Sequence, residues 1–414
     1  MSVNQSAGSI ERLLVLPPVA QSFWRVAGLA VVQRTVLAAQ RAGFSHIVVW
    51  APQGSSALES LMQEDARFQQ VRVVAELPEG HEAWAIVPSD IVFSPEVFEE
   101  IRACDGERAT RWIAGELTVA VSGPWELLAA ALRGQQQVRW DCLVAMATAA
   151  RTLKDEVALR IEARDSVHRA EQALCKKIWR DASASDGVLA HWFDRHLSLA
   201  ISRRLARVVW LRPNYVTVFG TTVGLAAAWL FSQGTFGFSL FGAVLFWFAC
   251  VIDGCDGELA RLTYRDSRWG EVFDVTTDNI VHAAIFLGLG VGYARAHPDG
   301  PYGWLLFLLL GGFVCAGLAS FVFLRRQGGA EPSFSRSRWR RAAQRWIAAL
   351  MNRDFAYILL LLAVADRLHW FLWGAAFGSY GVAVVALLLA APMLENGREG
   401  QTELEPQASP SDAR

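Results

Sequence analysis

Between residues 214 and 393 the chain runs as a series of long apolar stretches separated by short polar breaks, and this constrains the fold more than anything else in the sequence. The stretches fall at 214–233, 237–258, 272–295, 302–325, 354–368 and 370–393. All but the fifth approach the roughly 20 residues that a helix needs to cross a bilayer. Hydrocarbon offers no partner for backbone polar groups, so such a region is read as all-α, with six transmembrane helices. Arg261, Arg265 and Arg268 follow the second stretch, and Arg325, Arg326, Arg336, Arg338, Arg340, Arg341 and Arg345 follow the fourth. Both loops are expected on the cytoplasmic side, which puts both chain ends inside the cell and the protein in an inner or plasma membrane as a multi-pass span. The start MSVNQSAGSIERLLV has neither the basic opening nor the apolar core of a secretory signal, so residues before the spans are expected to stay cytoplasmic.

The first half reads differently. Short apolar runs at Leu13 to Leu16, His46 to Trp50, Val71 to Val74, Ala83 to Val87 and Leu117 to Val121 read as strands, and Ala30 to Ala42 as a helix ending at Gly43. Strands alternating with helical stretches predict an α/β domain with a parallel sheet over residues 1–135. Residues 136–187 are predicted to be a helical linker, interrupted at 181–187 (DASASDG). Across 188–212, Trp192, Phe193, Leu197, Ile201, Leu205 and Val208 share one face and Arg195, Arg203, Arg204 and Arg207 lie off it, the pattern of an interfacial amphipathic helix. An ordinary amphipathic helix packed on the α/β domain is the alternative. The span region closes at 394, and the Pro-, Glu- and Ser-containing tail 395–414 is expected to be disordered. Net charge is -1, so no global basic excess suggests nucleic acid. Cys104, Cys142, Cys175, Cys250, Cys255 and Cys315 have no paired spacing and are read as reduced, buried thiols.

Acids stand where they are expensive. Asp253 and Asp256 lie at the end of the second stretch, Asp274 and Asp278 at the start of the third. Spacings of three and four place each pair on one helix face. Ionisable groups at membrane depth normally face a cavity or a partner and mark function. Neighbouring carboxylates raise each other's pKa unless a cation compensates. Oxygen ligands without His or Cys favour hard cations, Mg²⁺, Mn²⁺ or Ca²⁺. Arg261, one turn beyond Asp256, offers a planar fork for phosphate oxygens. Gly257 and Gly270 leave room for a nucleotide beside the backbone. Asp278, on the third stretch, is the candidate base for an attacking hydroxyl.

Together these residues read DxxDGxxAR, eight residues, then GxxxDxxxD, from Asp253 to Asp278. The pattern resembles the signature of the CDP-alcohol phosphotransferases at every fixed position. The resemblance covers roughly residues 190 to 395, and Pro213, Asn214 and Thr217 also look like the opening segment of that family. It implies a six-helix membrane fold and transfer of a substituted phosphate from a CDP-alcohol donor to an alcohol acceptor, with release of CMP. It further implies a two-ion Mg²⁺ (or Mn²⁺) site on Asp253, Asp256, Asp274 and Asp278, cytidine nucleotide near Gly257, Ala260, Arg261 and Gly270, and Asp278 as base. Membrane lipid is an expected partner, and a homodimer is compatible with the reading. Two other readings are a cation transporter lined by the carboxylates and a non-catalytic membrane scaffold. Neither needs a phosphate fork.

Residues 13 to 100 resemble a reduced sugar-phosphate nucleotidyltransferase, in Val26 to Trp50 and in Pro88 to Pro95, where Asp90 matches the metal-binding acid. Such domains are fused to CDP-alcohol phosphotransferases in the inositol-phosphate cytidylyltransferase and di-inositol-phosphate phosphate synthase pairing. This chain departs from the pattern at Leu16 to Trp24, where two prolines and no glycine occupy the place of the triphosphate loop. The domain is therefore expected to be degenerate. Donor and acceptor stay open between CDP-diacylglycerol and a soluble polyol-phosphate CDP-alcohol.

Overall fold

A computed structural model describes residues 9–133, 140–153, 157–182, 193–327 and 355–390. The chain divides into two compact units, one of residues 1–181, 199–212 and 258–266, the other of the remainder.

The first unit is α/β. Its strands are β1 (Arg12–Val15), β2 (Arg25–Val26), β3 (Leu29–Ala30), β4 (His46–Trp50), β5 (Arg72–Val74), β6 (Ala83–Val87), β7 (Ile91–Phe93), β8 (Thr110–Ala114), β9 (Leu117–Pro124), β10 (Ala149–Thr152) and β11 (Ala158–Arg160). Among the described residues, seven of them form one sheet in the order β10-β8-β9-β6-β1-β4-β5. Its helices are α1 (Val31–Arg41), α2 (Ser56–Gln63), α3 (Pro95–Arg102), α4 (Trp125–Leu132), α5 (Trp140–Ala145), α6 (Arg164–Ala182) and α7 (Arg195–Leu205).

Side chains alternate across a strand, and here both faces are covered. Leu13, Val15, Ile47, Val49, Ala85 and Val87 join one apolar core with Val32 and Val36 of α1 and Val97, Phe98 and Ile101 of α3. Leu14, Val48, Trp50, Trp84 and Ile86 face the other way, onto Trp125, Leu128 and Leu132 of α4. Burial of each Val, Leu, Ile or Phe among them contributes about 1.5–3 kcal/mol. Gly43, at φ +88°, ends α1 in the left-handed conformation that glycine adopts without penalty.

The second unit is helical: α8 (Pro213–Phe231), most of α9 (Phe236–Thr263), α10 (Arg268–Ala296), α11 (Tyr302–Gln327), and the helices Phe355–Val364 and Leu368–Ala390. Small residues set the α8–α10 contact. A methyl on Gly288 would lie 2.2 Å from the Ala228 carbonyl oxygen, and one on Gly292 2.1 Å from that of Phe231. One on Gly224 would lie 2.5 Å from Val281. Close backbone approach of this kind is how helices associate without a hydrophobic drive between them.

Several expectations change. The sheet is mixed rather than parallel, because β9 runs antiparallel to both β6 and β8. The tight turn at Gly115 (φ +63°) joins β8 to β9 as a hairpin, which a helical crossover would not allow. The segment 136–187 is no helical linker: β10 pairs with β8, β11 with β7, and among the described residues only α5 and α6 are helical. A largely exposed edge strand, Ala149–Thr152 (AART), lacks the apolar run by which it could be read. Six apolar helices occupy the expected stretches, yet among the described residues only α8, α9, α10 and Leu368–Val385 are long and apolar enough to cross a membrane. The apolar parts Tyr302–Cys315 and Phe355–Val364 are shorter. Of the thiols, Cys104, Cys250 and Cys255 are buried, Cys142 and Cys175 half-buried, and Cys315 exposed. The tail 395–414, most of the Arg-rich stretch after Arg326 and the break at 183–187 lie outside the described residues.

Within 188–212 the helix is Arg195–Leu205. Its apolar stripe is unevenly exposed. Phe193, Leu197 and Val208 are exposed, whereas Asp194, Ser198, Ser202 and Ala206, spaced by four, are buried. Ile201 and Leu205 of the apolar stripe are half-buried.

Candidate active site

The carboxylate site is built on α9 and α10. Asp253 and Asp256 are one turn apart near the end of α9, and Asp274 is in the second turn of α10. Ser267 caps α10, its hydroxyl accepting from the Gly270 N–H at 3.0 Å. One oxygen from each of Asp253, Asp256 and Asp274 lies within 4.8 Å of the other two. Asp256 is 4% exposed. It accepts a short hydrogen bond from the Thr217 hydroxyl of α8 and one from the Gly257 N–H at 2.5 Å. Asp278, one turn past Asp274, lines a cavity with Asp253, Gly220, Thr221 and His282. The structure thus brings three of the four predicted acids together and sets the fourth on a shared cavity. Three carboxylates at this separation repel unless a cation lies among them, and an all-oxygen set fits a divalent metal.

The predicted nucleotide contacts divide between helices. Gly257 and Arg261 are four apart on α9 and share a face, open at Gly257, where a methyl would meet nothing within 4 Å. Arg261 is exposed and Ala260 buried. Gly270 opens α10, where a methyl would lie 3.8 Å from Asn214 Oδ1.

Two buried residues on or beside the motif were not singled out by spacing. Thr217 is legible only as part of the Pro213–Thr217 opening. Glu258, wholly buried, accepts from the Ser202 hydroxyl at 2.8 Å; its position within the motif, on the opposite side of α9 from Asp256, is the available signal.

In the α/β unit, Asp90 is 3.3 Å from Arg160 of β11. Burial pushes its carboxyl above the usual range, and Arg160 pulls the other way. The segment expected to hold triphosphate is folded onto itself: the Ser22 hydroxyl donates to Ser89 Oγ at 2.9 Å, and Ser89 donates to the Pro17 carbonyl at 2.9 Å.

Residues 210–390 match the CDP-alcohol phosphatidyltransferase family. This segment is therefore a CDP-alcohol phosphatidyltransferase domain, and its apolar helices make the chain an integral membrane protein. Over 95 residues, 22% of this chain and 42% of the relative, it is 41% identical to the phosphatidylinositol phosphate synthase of Mycobacterium tuberculosis. Over 151 residues, 36% of this chain and 29% of the relative, it is 29% identical to the bifunctional IPC transferase and DIPP synthase of Archaeoglobus fulgidus. A solved structure of the M. tuberculosis phosphatidylinositol phosphate synthase with CDP-DAG bound aligns at a TM-score of 0.31 and 26% identity, covering 48% of this chain and 92% of that one. The chain spans less than half the length of the two relatives it matches by sequence.

Proposed function

We infer that the protein transfers a substituted phosphate group from a CDP-alcohol to an acceptor hydroxyl and releases CMP. The observation that carries this is the convergence of Asp253, Asp256 and Asp274, with Asp278 on the adjoining cavity. Asp253, Asp256, Asp274 and Asp278 would hold a pair of divalent ions, Mg²⁺ or Mn²⁺, which would supply charge neutralisation on the diphosphate and on the departing phosphate. Arg261 holds phosphate oxygens in its fork, and the open face at Gly257 admits the nucleotide. Asp278 takes the proton of the acceptor hydroxyl as that oxygen bonds to the phosphorus bearing the alcohol. The bond from that phosphorus to the bridging oxygen breaks, and CMP leaves with the bridging oxygen.

Of the two named relatives, the phosphatidylinositol phosphate synthase, similar at the higher identity, directs the choice of substrates. CDP-diacylglycerol is the proposed donor and a phosphorylated inositol the proposed acceptor, which makes membrane lipid a partner. The exposed aromatics Trp229, Trp304 and Trp370 and the outward stripe of Phe193 and Leu197 suit contact with lipid. Arg261, Arg265 and Arg268 are proposed to face the cytoplasm. The folded-in Pro17–Phe23 segment and the Asp90–Arg160 pairing support an α/β domain without nucleotidyl transfer. Purified protein incubated with CDP-diacylglycerol or a soluble CDP-polyol, each with and without inositol phosphate, tests the reading. CMP release that needs CDP-diacylglycerol and inositol phosphate together is expected. Release only with the soluble donor would overturn the donor assignment.

A further inference from the structure

The motif helix ends in an unusual way. After Thr263 the chain turns through Tyr264, at φ +53°, and the Arg265 N–H reaches back to the Ala260 carbonyl at 2.8 Å. This closure is the kind usually made with glycine, and it leaves the last carbonyls of the helix without backbone donors. Two arginines of the α/β fold take them. Arg34 of α1, 1% exposed, donates from Nη2 to the Leu262 carbonyl at 2.6 Å and from Nε to that of Val26 at 2.6 Å. Arg67 donates from Nη1 to the carbonyls of Thr263 at 2.7 Å and Tyr264 at 3.0 Å. Its other edge is held by Asp65, with Nη2 to Oδ2 at 2.6 Å.

Tyr264 completes the grip. Its ring packs against the α/β core, and the guanidinium carbons of Arg34 and Arg41 lie 5.9 and 5.8 Å from its centroid. Cations at a helix C-terminus meet the negative end of its dipole. Burial drives the Arg34 pKa down, so enclosing this cation is costly, and the neighbouring Tyr264, Glu171 and Cys175 pull the other way. A tyrosine held left-handed and enclosed guanidinium groups mark a turn fixed by its surroundings.

We propose that Arg34 and Arg67 are positioning residues for phosphotransfer, through which the α/β domain grips the carboxyl end of α9 and fixes the turn that carries Ala260 and Arg261. This goes beyond the proposed function but rests on its reading of Arg261 as the donor's phosphate ligand. It gives an α/β domain without nucleotidyl transfer a task in the membrane reaction. The task follows from side chains reaching across some two hundred residues of sequence.

Arg34 is enclosed and its replacement endangers the fold, so Arg67, with a side chain 23% exposed, carries the test. CDP is titrated into full-length, detergent-purified protein with Mg²⁺ present, by calorimetry, for wild type, Arg67→Ala, Arg67→Lys, Arg261→Ala and the double variant Arg67→Ala/Arg261→Ala. Arg67→Ala is expected to weaken CDP binding about tenfold, with Arg67→Lys between it and wild type because one ammonium replaces a fork. The Mg²⁺ affinity of Arg67→Ala should equal that of wild type, a reading that general loss of structure would disturb. The double variant should bind CDP no more weakly than Arg261→Ala, since the two act through one group. Unchanged CDP affinity in Arg67→Ala, or additive losses in the double variant, overturns the proposal. If Arg261→Ala itself leaves CDP binding intact, the reading of Arg261 fails and the grip loses its purpose.

Discussion

Removing the Thr217 hydroxyl should weaken the metal site without touching any of its ligands. Thr217 is 6% exposed and donates to Asp256, the most enclosed of the three converging acids. A hydrogen bond to a charged acceptor contributes about 1.5–3 kcal/mol net. At about 1.4 kcal/mol per factor of ten, its loss corresponds to roughly 10- to 100-fold. Loss of a partner that orients a metal ligand typically costs the same range, about 10–100-fold in metal affinity. Water is a poor substitute at a site so enclosed, although the Gly257 N–H still holds Asp256. Thr217→Val keeps the shape and removes the donor, whereas Thr217→Ser keeps the donor. The assay is CMP release against Mg²⁺ concentration at saturating CDP-diacylglycerol and inositol phosphate. Half-saturation should rise about 10- to 100-fold in Thr217→Val and stay within about threefold in Thr217→Ser. A Thr217→Val enzyme with the Mg²⁺ dependence of wild type would refute the reasoning.

Three further outcomes are expected. Asp278→Asn should lower the rate of CMP release by at least about 100-fold while CDP binding persists, because it removes a base and keeps the shape; near-normal turnover contradicts the assignment. Burial pushes the Cys175 thiol from 9.0 to about 11, which favours the neutral form in the folded state, so the stabilisation is complete below about 9 and lost as pH rises through about 11. Its thiolate should then be about 100-fold rarer at pH 8 than in unfolded chain, measurable as slower iodoacetamide alkylation by peptide mass spectrometry; equal rates would contradict it. Full-length protein given CTP and inositol phosphate should release no pyrophosphate, and Asp90→Ala should leave CMP release unchanged; robust pyrophosphate release lost in Asp90→Ala would make the α/β domain an enzyme.

What was legible in the sequence is what short-range chemistry dictates. Asp253, Asp256, Asp274 and Asp278 announce themselves by helical spacing at the ends of apolar stretches, and β1, β4 and β6 by runs buried on both faces. Thr110–Ala114, inside the sheet, and Ala149–Thr152, at its edge, escaped because both mix polar and apolar residues without a clean period. That α7 buries Ser198 and Ser202 was not legible, since a hydroxyl that packs inward looks in sequence like one that faces solvent. Arg34 looked like any helix arginine. Its acceptor, the Leu262 carbonyl, is a backbone atom 228 residues away, and no side-chain pattern records a backbone partner.

CMP release from CDP-diacylglycerol by the purified protein, measured with inositol phosphate before and after chelation, tests the central claim most directly. Turnover should vanish on exhaustive chelation, return with Mg²⁺ or Mn²⁺ but not with Zn²⁺, and be absent at every Mg²⁺ concentration in Asp253→Asn. Full activity after chelation, or normal turnover by Asp253→Asn, would contradict a carboxylate-held metal site as the seat of the reaction.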